Sequence, residues 1–570
     1  MSLISALNIG GSALAAQQAA LQVTGNNIAN AGDPNYTRET ATLTPSEDQE
    51  IQPGIFEGTG VDLTAISRQI DEALQSRLQS SQSDSQAAST TASWLGQIQS
   101  TFNALSGQDL SAQMTTFFND WSNLANSPQD QGLRQVVLQD GATLAQQFQS
   151  TKSSLETLQD NSNQEIQSLA GNADQLATEI AQLNGQIVTA QGGTGGSANA
   201  LLDQRDADIQ QLSQLVDVQT VDQGNGVVNV YSGSEPLVIN TESQGIAVKT
   251  TAANGAVTSS LVLKNGQGNL TTTSGQIGAL IGVQSQIADA VGQVDNLAHN
   301  LISSVNQLHS SGQGLDGATT ITATNTVNNT AVALNNASTG LQYSPTNGSF
   351  VVHVTDASTG LETSTLVPVQ LNGGPGDTTL DSLTASLNAI SGISATDKGG
   401  VLQINAADSN AQISFSQDSS GVLASLGVNT FFTGSNASNI GVNAAVQNDP
   451  SLLAAAQNGE QDDNQTALAI SGLENQALSS LNGATLQGSY QNLINGLANS
   501  TSAAQTNATA TQSVLDTLQS QRDSLSGVSV DEETINMLQQ QRAYQAAAQL
   551  ISVVNDMMTT LMGMIGTTAA

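Results

Sequence analysis

Few residues in this chain have the type and spacing to do chemistry. Asp203 and Asp206 flank Arg205 in Leu201-Leu-Asp-Gln-Arg-Asp206, a spacing that a general acid/base pair around a cation could use. The same residues fit a helix start with a local ion pair, worth under about 1 kcal/mol if exposed, and that reading is preferred. The three histidines are His299, His309 and His353. No two are spaced as a ligand pair on one helical turn. His299 and His309 fall on or beside an apolar helical stripe, where a structural hydrogen-bonding role is expected. Cys is absent, which removes disulfides, thiolate metal sites and Cys nucleophiles in one step. The run Gln191-Gly-Gly-Thr-Gly-Gly196 has no Lys after it and no strand before it, so it reads as a flexible linker rather than a phosphate cradle. No enzyme activity, metal or cofactor is expected.

Asparagine chemistry is more informative. Val23-Thr-Gly-Asn-Asn-Ile-Ala-Asn-Ala31 places Asn26, Asn27 and Asn30 near the end of an apolar-seamed helix, although Asn competes for the backbone and is a poor helix interior residue. One explanation is capping and left-handed turning at the helix end. The other is amide hydrogen bonding across a packed helix interface, which fixes register as buried Asn does in coiled coils.

The elements that must position these residues are legible from periodicity. Leu7, Leu14, Leu21 and Ile28 recur every seven residues, as do Met537, Tyr544, Ile551, Met558 and Ile565, with Ala547, Val554 and Leu561 between them. Such spacing fixes a seam that must face another helix, so the two chain ends are expected to pair with each other and with neighbouring subunits. The first helix is expected over about residues 3–29, ending at Asn30-Ala-Gly-Asp-Pro34. The last begins at a capping box, Ser529 with Glu532, and runs about 35 residues, roughly 50 Å. Helical pattern also covers about 65–190, and a third heptad stripe joins Leu280, Ile287, Val294, Leu301 and Leu308. Strands are expected from about 214, with one hairpin about the loop 222–226 and another turning at Asn254-Gly255. A second β-rich stretch runs from 312 to about 446, with strand candidates 350–354, 363–370, 402–404 and 413–415 and a helix over 380–390. Helix resumes from about 451.

The fold class is therefore multidomain α plus β. The expected domains are 1–34 with 528–570 as a coiled-coil-like pair of terminal helices, 35–213 with 275–311 and 451–527 as a mainly helical bundle, and 214–274 with 312–450 as β-rich or α+β insertions. Composition limits the partners. Eleven Lys and Arg stand against 47 Asp and Glu, a net charge of −36, so no cationic surface for nucleic acid or an anionic membrane is expected. No apolar run is long enough for a membrane span. The first cation is Arg38, so no cleavable secretory signal is expected either.

The N-terminal Asn segment is similar to the signature of flagellar rod, hook and hook-associated proteins. Ser526-Gly-Val-Ser-Val-Asp-Glu-Glu533 with Gln541-Arg-Ala-Tyr-Gln-Ala-Ala-Ala548 resembles the matching C-terminal end. Within that superfamily, Pro34-Asn-Tyr-Thr-Arg38, the Leu201–Asp206 motif followed by Val216–Tyr231, and Leu426-Gly-Val-Asn-Thr-Phe-Phe-Thr-Gly434 leading to Asn448-Asp-Pro450 resemble the hook-associated protein 1 family. Gly32-Asp33-Pro34-Asn35 departs from that family's more usual Asn-Thr-Pro-Gly.

The resemblance implies an extracellular structural protein at the hook–filament junction, exported unfolded without a cleavable signal. Its implied partners are copies of itself, the hook protein, the second junction protein and through it the filament, and a cytoplasmic chaperone on the C-terminal helix. The expected assembly seam is Leu7, Leu14, Leu21, Ile28, Met537, Tyr544, Ile551 and Met558. Asn26, Asn27, Asn30, Tyr36, Arg38 and Arg542 are candidates for register or interface contacts. Competing readings are another axial protein, a surface adhesin, or a cell-wall hydrolase fused to an axial segment. The Leu201–Asp206 and Leu426–Gly434 motifs favour the first junction protein over its axial relatives.

Overall fold

The structure, a computed structural model, describes residues 2–102, 109–192, 198–253, 256–266, 268–460 and 462–566. The linker residues 193–196 and the turn Asn254-Gly255 lie outside the described residues. The chain divides into two compact units, one of residues 1–93, 162–284 and 503–570, the other of 94–161 and 285–502.

In the first unit the N-terminal helix, Leu3–Ala29, starts at Ser2, whose hydroxyl accepts from the Ser5 N–H, and closes at Asn30, whose N–H returns to the Asn26 carbonyl. The C-terminal helix, Val530–Gly566, opens with Asp531, Glu532 and Glu533 in its first turn, where carboxylates suit the positive end of the helix dipole. The Ser529 hydroxyl accepts from the Glu532 N–H at 3.4 Å. Both helices keep the bounds that periodicity predicts, and they pack along each other.

Between them the chain forms an antiparallel ribbon, Glu39–Pro45 with Val61–Arg68, extended by a hairpin of Gln49–Gln52 and Ile55–Glu57. The ribbon packs on the N-terminal helix; the Val61 N–H donates to the Ser12 hydroxyl at 3.3 Å. These residues fall in the range expected to be mainly helical. Thr-rich alternation in Glu-Thr-Ala-Thr-Leu-Thr carries a two-residue period with few apolar side chains, and it suits a pleated ribbon better than a helix.

The unit also holds the helix Asn199–Leu215 and a four-stranded antiparallel meander, Gln219–Asp222, Val228–Ser232, Glu235–Ile239 and Glu242–Ser243. A three-stranded sheet follows, in which Ile246–Ala253 and Ala256–Leu263 pair as the expected hairpin. Asn163, Ser259 and Gln284 fasten it through buried hydrogen bonds, Ser259 and Gln284 both donating to the Asn163 side-chain oxygen. The early turns of Glu72–Thr101 meet the end of Leu486–Ser526 through Leu78, Leu515 and Leu518.

The second unit has two cores. One is aromatic: Phe117 and Trp121 of the Leu110–Asn126 helix surround Phe431, with ring centroids 5.5 Å from it in each case. Gly141 makes room, because a Cβ there would sit 2.7 Å from the Phe431 ring. The other core is an α+β layer. Its sheets are Leu361–Val369, Gly348–Asp356 and Ala411–Ser416 in that order, and Thr320–Thr322, Leu402–Ala406 and Ile393–Asp397. The Leu380–Asn388 helix, capped by a Thr379–Ser382 box, lays Leu380, Leu383 and Leu387 onto them. Helix does not resume at 451 as periodicity implied. Residues 450–485 form short turns and one helix, Gln465–Gly472, before the long helix starts at Leu486; Pro450, Gly459 and the left-handed Asn482-Gly483 pair interrupt it.

Candidate functional site: a polar latch between the terminal helices

The first helix buries a face of mostly small residues. Its buried residues are Gly10, Ala16, Ala20, Val23, Thr24 and Asn27. At Gly10 the partner helix comes so close that a Cβ would stand 2.8 Å from Ile551 Cγ1. Farther along, the Thr24 hydroxyl donates to Gln540 Oε1 at 2.9 Å. On the C-terminal helix, Glu533, Ala547 and Val554 are buried, and Met537, Tyr544, Ile551 and Met558 are half-buried beside them. Leu7, Leu14, Leu21 and Ile28 are also half-buried, on the flank of the first helix rather than at the centre of the contact. The Ile565 side chain lies outside the described residues.

At one end of this pair, polar groups converge. Asn27 is 1% exposed. Its amide nitrogen donates to Glu533 Oε2 at 3.1 Å and to the Glu39 carbonyl at 2.9 Å. Its amide oxygen accepts from the Tyr36 hydroxyl at 2.8 Å and the Glu39 N–H at 3.0 Å. Arg38 donates from Nε to Glu533 Oε1 at 2.9 Å, with Nη2 at 2.8 Å, and reaches Glu532 at 3.3 Å. Its backbone N–H donates to the Ser526 carbonyl. Every hydrogen-bonding position of the Asn27 amide is thereby answered, so the network rigidifies instead of costing desolvation. Burial, reinforced by Glu39, Asp203 and Glu533, pushes the Tyr36 phenol well up, so its hydroxyl stays a donor to Asn27.

Asp203 extends the latch to the Asn199–Leu215 helix, where its carboxylate accepts from the Thr37 N–H at 3.2 Å. Arg68 Nη1 lies 2.8 Å from both Asp203 and Asp206, and Arg205 lies 3.3 Å from Asp206. The local pair expected within the motif is therefore part of a buried cluster, completed by an arginine from the ribbon. Both carboxylates are engaged, which leaves neither free as a general base. A cleft of about 480 Å³ lies beside the latch, lined by residues of the 30–38 turn together with Asp203, Gln210 and Arg522.

The remaining candidates divide. Asn26 and Asn30 cap the helix end, with Asn30 Nδ2 donating to the Asn26 carbonyl at 3.0 Å. Arg542 is exposed. Glu533 was not among the expected residues. A carboxylate in the first helical turn is explained by the dipole alone, and only its burial reveals the second role.

The histidines are all partnered. His309 receives the Ala454 N–H at Nε2 and faces the Asn429 carbonyl at Nδ1. Full burial lowers its pKa to about 4. His299 stacks on Tyr343 and bonds the Ser435 carbonyl. His353 stands between Ser416, 2.7 Å from Nε2, and Glu362 on Nδ1, the order of a nucleophile–base–acid set. Ser416 is only 1% exposed, so no substrate carbonyl reaches it.

Comparison with known proteins matches this arrangement from end to end. Residues 95–323 match the flagellar hook-associated protein FlgK helical domain. Residues 7–37 match the flagella basal body rod protein family, and 519–564 the C-terminal region of the flagellar basal body rod FlgEFG proteins. Flagellar hook-associated protein 1 of Salmonella typhimurium is 26% identical, with 98% of this chain and 99% of that protein covered. The Escherichia coli protein of the same name is 24% identical, covering 97% and 98%. Along nearly its whole length the chain is similar to the flagellar hook-associated protein 1 family. A solved structure, the flagellar hook junction protein FlgK from Burkholderia pseudomallei, shares the fold with a TM-score of 0.54 at 17% identity, over 79% of this chain and all of that one. The family's two rod-type segments coincide with the two halves of the latch: Asn27 and Tyr36 lie in the first, Glu533 and Gln540 in the second. No described helix is long and apolar enough to cross a membrane.

Proposed function

We propose that this chain is the structural joint between hook and filament, assembled through its terminal helices. The observation that carries this reading is that the C-terminal helix is apolar on two sides. One side packs on the N-terminal helix. Another carries Ile535, Leu538, Leu550, Val553 and Met557, each between 40% and 57% exposed. A soluble monomer rarely leaves so long an apolar row uncovered, and the half-buried Leu7, Leu14, Leu21 and Ile28 add a second strip. Neighbouring copies, the hook protein and the second junction protein cover these strips in the proposed assembly. Arg542, exposed on the same helix, supplies a cation for a neighbour's carboxylate, which a chain of net charge −36 has in excess.

Before assembly the same strips would be adhesive, so a cytoplasmic chaperone covers the C-terminal helix. The chain then leaves the cell unfolded, and the latch closes at the growing tip. Electron microscopy of a strain lacking the gene tests the reading. Hooks without filaments, with flagellin lost to the medium, are expected; complete flagella would refute it.

A further inference from the structure

Residues 46–59 carry four carboxylates, Glu47, Asp48, Glu50 and Glu57, and no cation lies between Arg38 and Arg68. The hairpin they form leaves its largest apolar side chains in water: Ile51 is 53%, Ile55 51% and Phe56 62% exposed. Phe56 stands directly across from Glu50, so ring and carboxylate share one face. Glu50 Oε1 accepts from the Gly54 N–H at 2.9 Å, which steadies the carboxylate beside the ring. A two-stranded hairpin is marginal on its own, and an exposed apolar cluster at its end marks a surface that something covers.

The same unit presents a matching hollow. A groove of about 440 Å³ has Ala510, Val514 and Leu518 along one side and Ser76, Arg77 and Asp84 along the other. Val514 is 55% exposed. Arg77 is also exposed, and the residues one turn away on its own helix are Ala73, Leu74, Ser80 and Ser81. None is acidic, so that helix gives Arg77 no ion pair across a turn. Asp84 is the one carboxylate lining the groove. It lies two turns from Arg77, about 10 Å along the helix, and accepts from the Ser274 hydroxyl at 2.7 Å. The groove is therefore cationic at one end and apolar through its middle, the complement of an acidic hairpin with an aromatic ring. The exposed row from Ile535 to Met557 is apolar too, but it is the convex side of a single helix, and a protruding ring fits a hollow.

We infer that the 46–59 hairpin of one copy docks in this groove of a neighbouring copy, with Phe56 against Val514 and Leu518 and with Glu50 facing Arg77. The inference rests on the reading that copies of the chain assemble side by side. Hairpin and groove are different surfaces, so the contact is head-to-tail and repeats from copy to copy. The charges fix its direction: the carboxylates lie at the Arg77 end and away from Asp84.

Phe56→p-benzoylphenylalanine in the full chain keeps an aromatic ring at the site and, on irradiation, links it to whatever it touches. Flagella from motile cells carrying this chain should yield a product of twice the chain mass, its adduct in the peptide that holds Val514 and Leu518. The reciprocal probe, Val514→p-benzoylphenylalanine, should mark the 46–59 peptide of another copy. Both probes replace exposed side chains, so the fold is retained. Glu50→Arg should lower the yield about tenfold, and adding Arg77→Glu to the same chain should restore it. Adducts to the hook protein, to the second junction protein or to the Ile535–Met557 row, or none from either probe, would overturn the inference. So would a charge swap that fails to restore the yield. Complete flagella in the strain lacking the gene would instead sink the junction reading.

Discussion

Replacing Glu533 by Ala should open the latch. The carboxylate is buried, 2% exposed, and accepts from Asn27 and Arg38. Breaking a buried pair from one side typically costs 3–5 kcal/mol, because the remaining charge stays uncompensated. Here Arg38 has 21% of its side-chain surface exposed and keeps Glu532 at 3.3 Å, so part of its charge can be resolvated. The lower end, about 3 kcal/mol, is therefore expected. The absence of Cys offers a clean assay. A single Cys at exposed Gln541 carries a fluorophore that reports the terminal helices alone during denaturant unfolding of the full chain. A double-mutant cycle with Arg38→Met then isolates the pair, with an expected coupling of about 2 kcal/mol. That coupling should persist in about 1 M salt, where exposed pairs are screened over about 3 Å. A coupling below about 0.5 kcal/mol, or one abolished by salt, would refute the claim that the Arg38–Glu533 pair closes the helices.

Gly10→Val should cost about 1–3 kcal/mol in the same assay through overpacking, since even its Cβ meets Ile551 at 2.8 Å; Ile551→Ala should restore most of the loss. Two groups of the second unit, both shifted by burial, act in opposite directions in acid. His309 titrates at about 4 when folded against 6.5 when free, so the unfolded chain binds the proton first. Its contribution is full above pH 6.5 and falls by roughly 3 kcal/mol as pH drops to about 4. Asp120, whose pKa is raised to about 7 by burial and by Asp140, works in the opposite direction, so thermal unfolding should show His309→Leu more stable at pH 4 relative to pH 7 than the unsubstituted chain is. Leu14→Asp should leave the monomer soluble and both units folded, yet abolish incorporation into flagella; normal motility would remove Leu14 from the proposed seam.

How much was legible depends on which physical signal each residue leaves in the sequence. The stripe from Leu280 to Leu308, which forms one side of the Gly275–His309 helix, and the ends of both terminal helices could be read directly, because a seven-residue apolar period and a capping Ser need no partner to be seen. The ribbon 39–68 could not, since its Thr-rich alternation buries little and resembles loop composition. Glu533 was invisible for another reason. Its meaning lies in Asn27 and Arg38, 506 and 495 residues away in sequence, and only folding brings them together. Asn27 itself was legible as a polar residue out of place. The choice between cap and interface then fell differently for each asparagine: Asn26 and Asn30 cap, and Asn27 crosses to the other helix.

The first helix adds a subtler case. Hydropathy ranks Leu above Ala and Gly, so the sequence directs attention to Leu7, Leu14, Leu21 and Ile28. The residues that the fold buries are instead Gly10, Ala16, Ala20 and Val23, and at Gly10 the absence of a side chain lets the partner helix approach closely. The helix thus has a small-residue face closed within the subunit and a leucine flank left partly open. If the flank serves assembly as proposed, substitutions on the two faces must separate. Ala16→Leu should overpack the internal contact and loosen the pair in the monomer by about 1–3 kcal/mol, seen with the Gln541 label before any assembly. Leu21→Ser should leave that transition within about 0.5 kcal/mol and lower incorporation alone. Equal monomer destabilisation by both would mean that the leucine flank belongs to the internal core, and the seam would have to be sought on the exposed row from Ile535 to Met557.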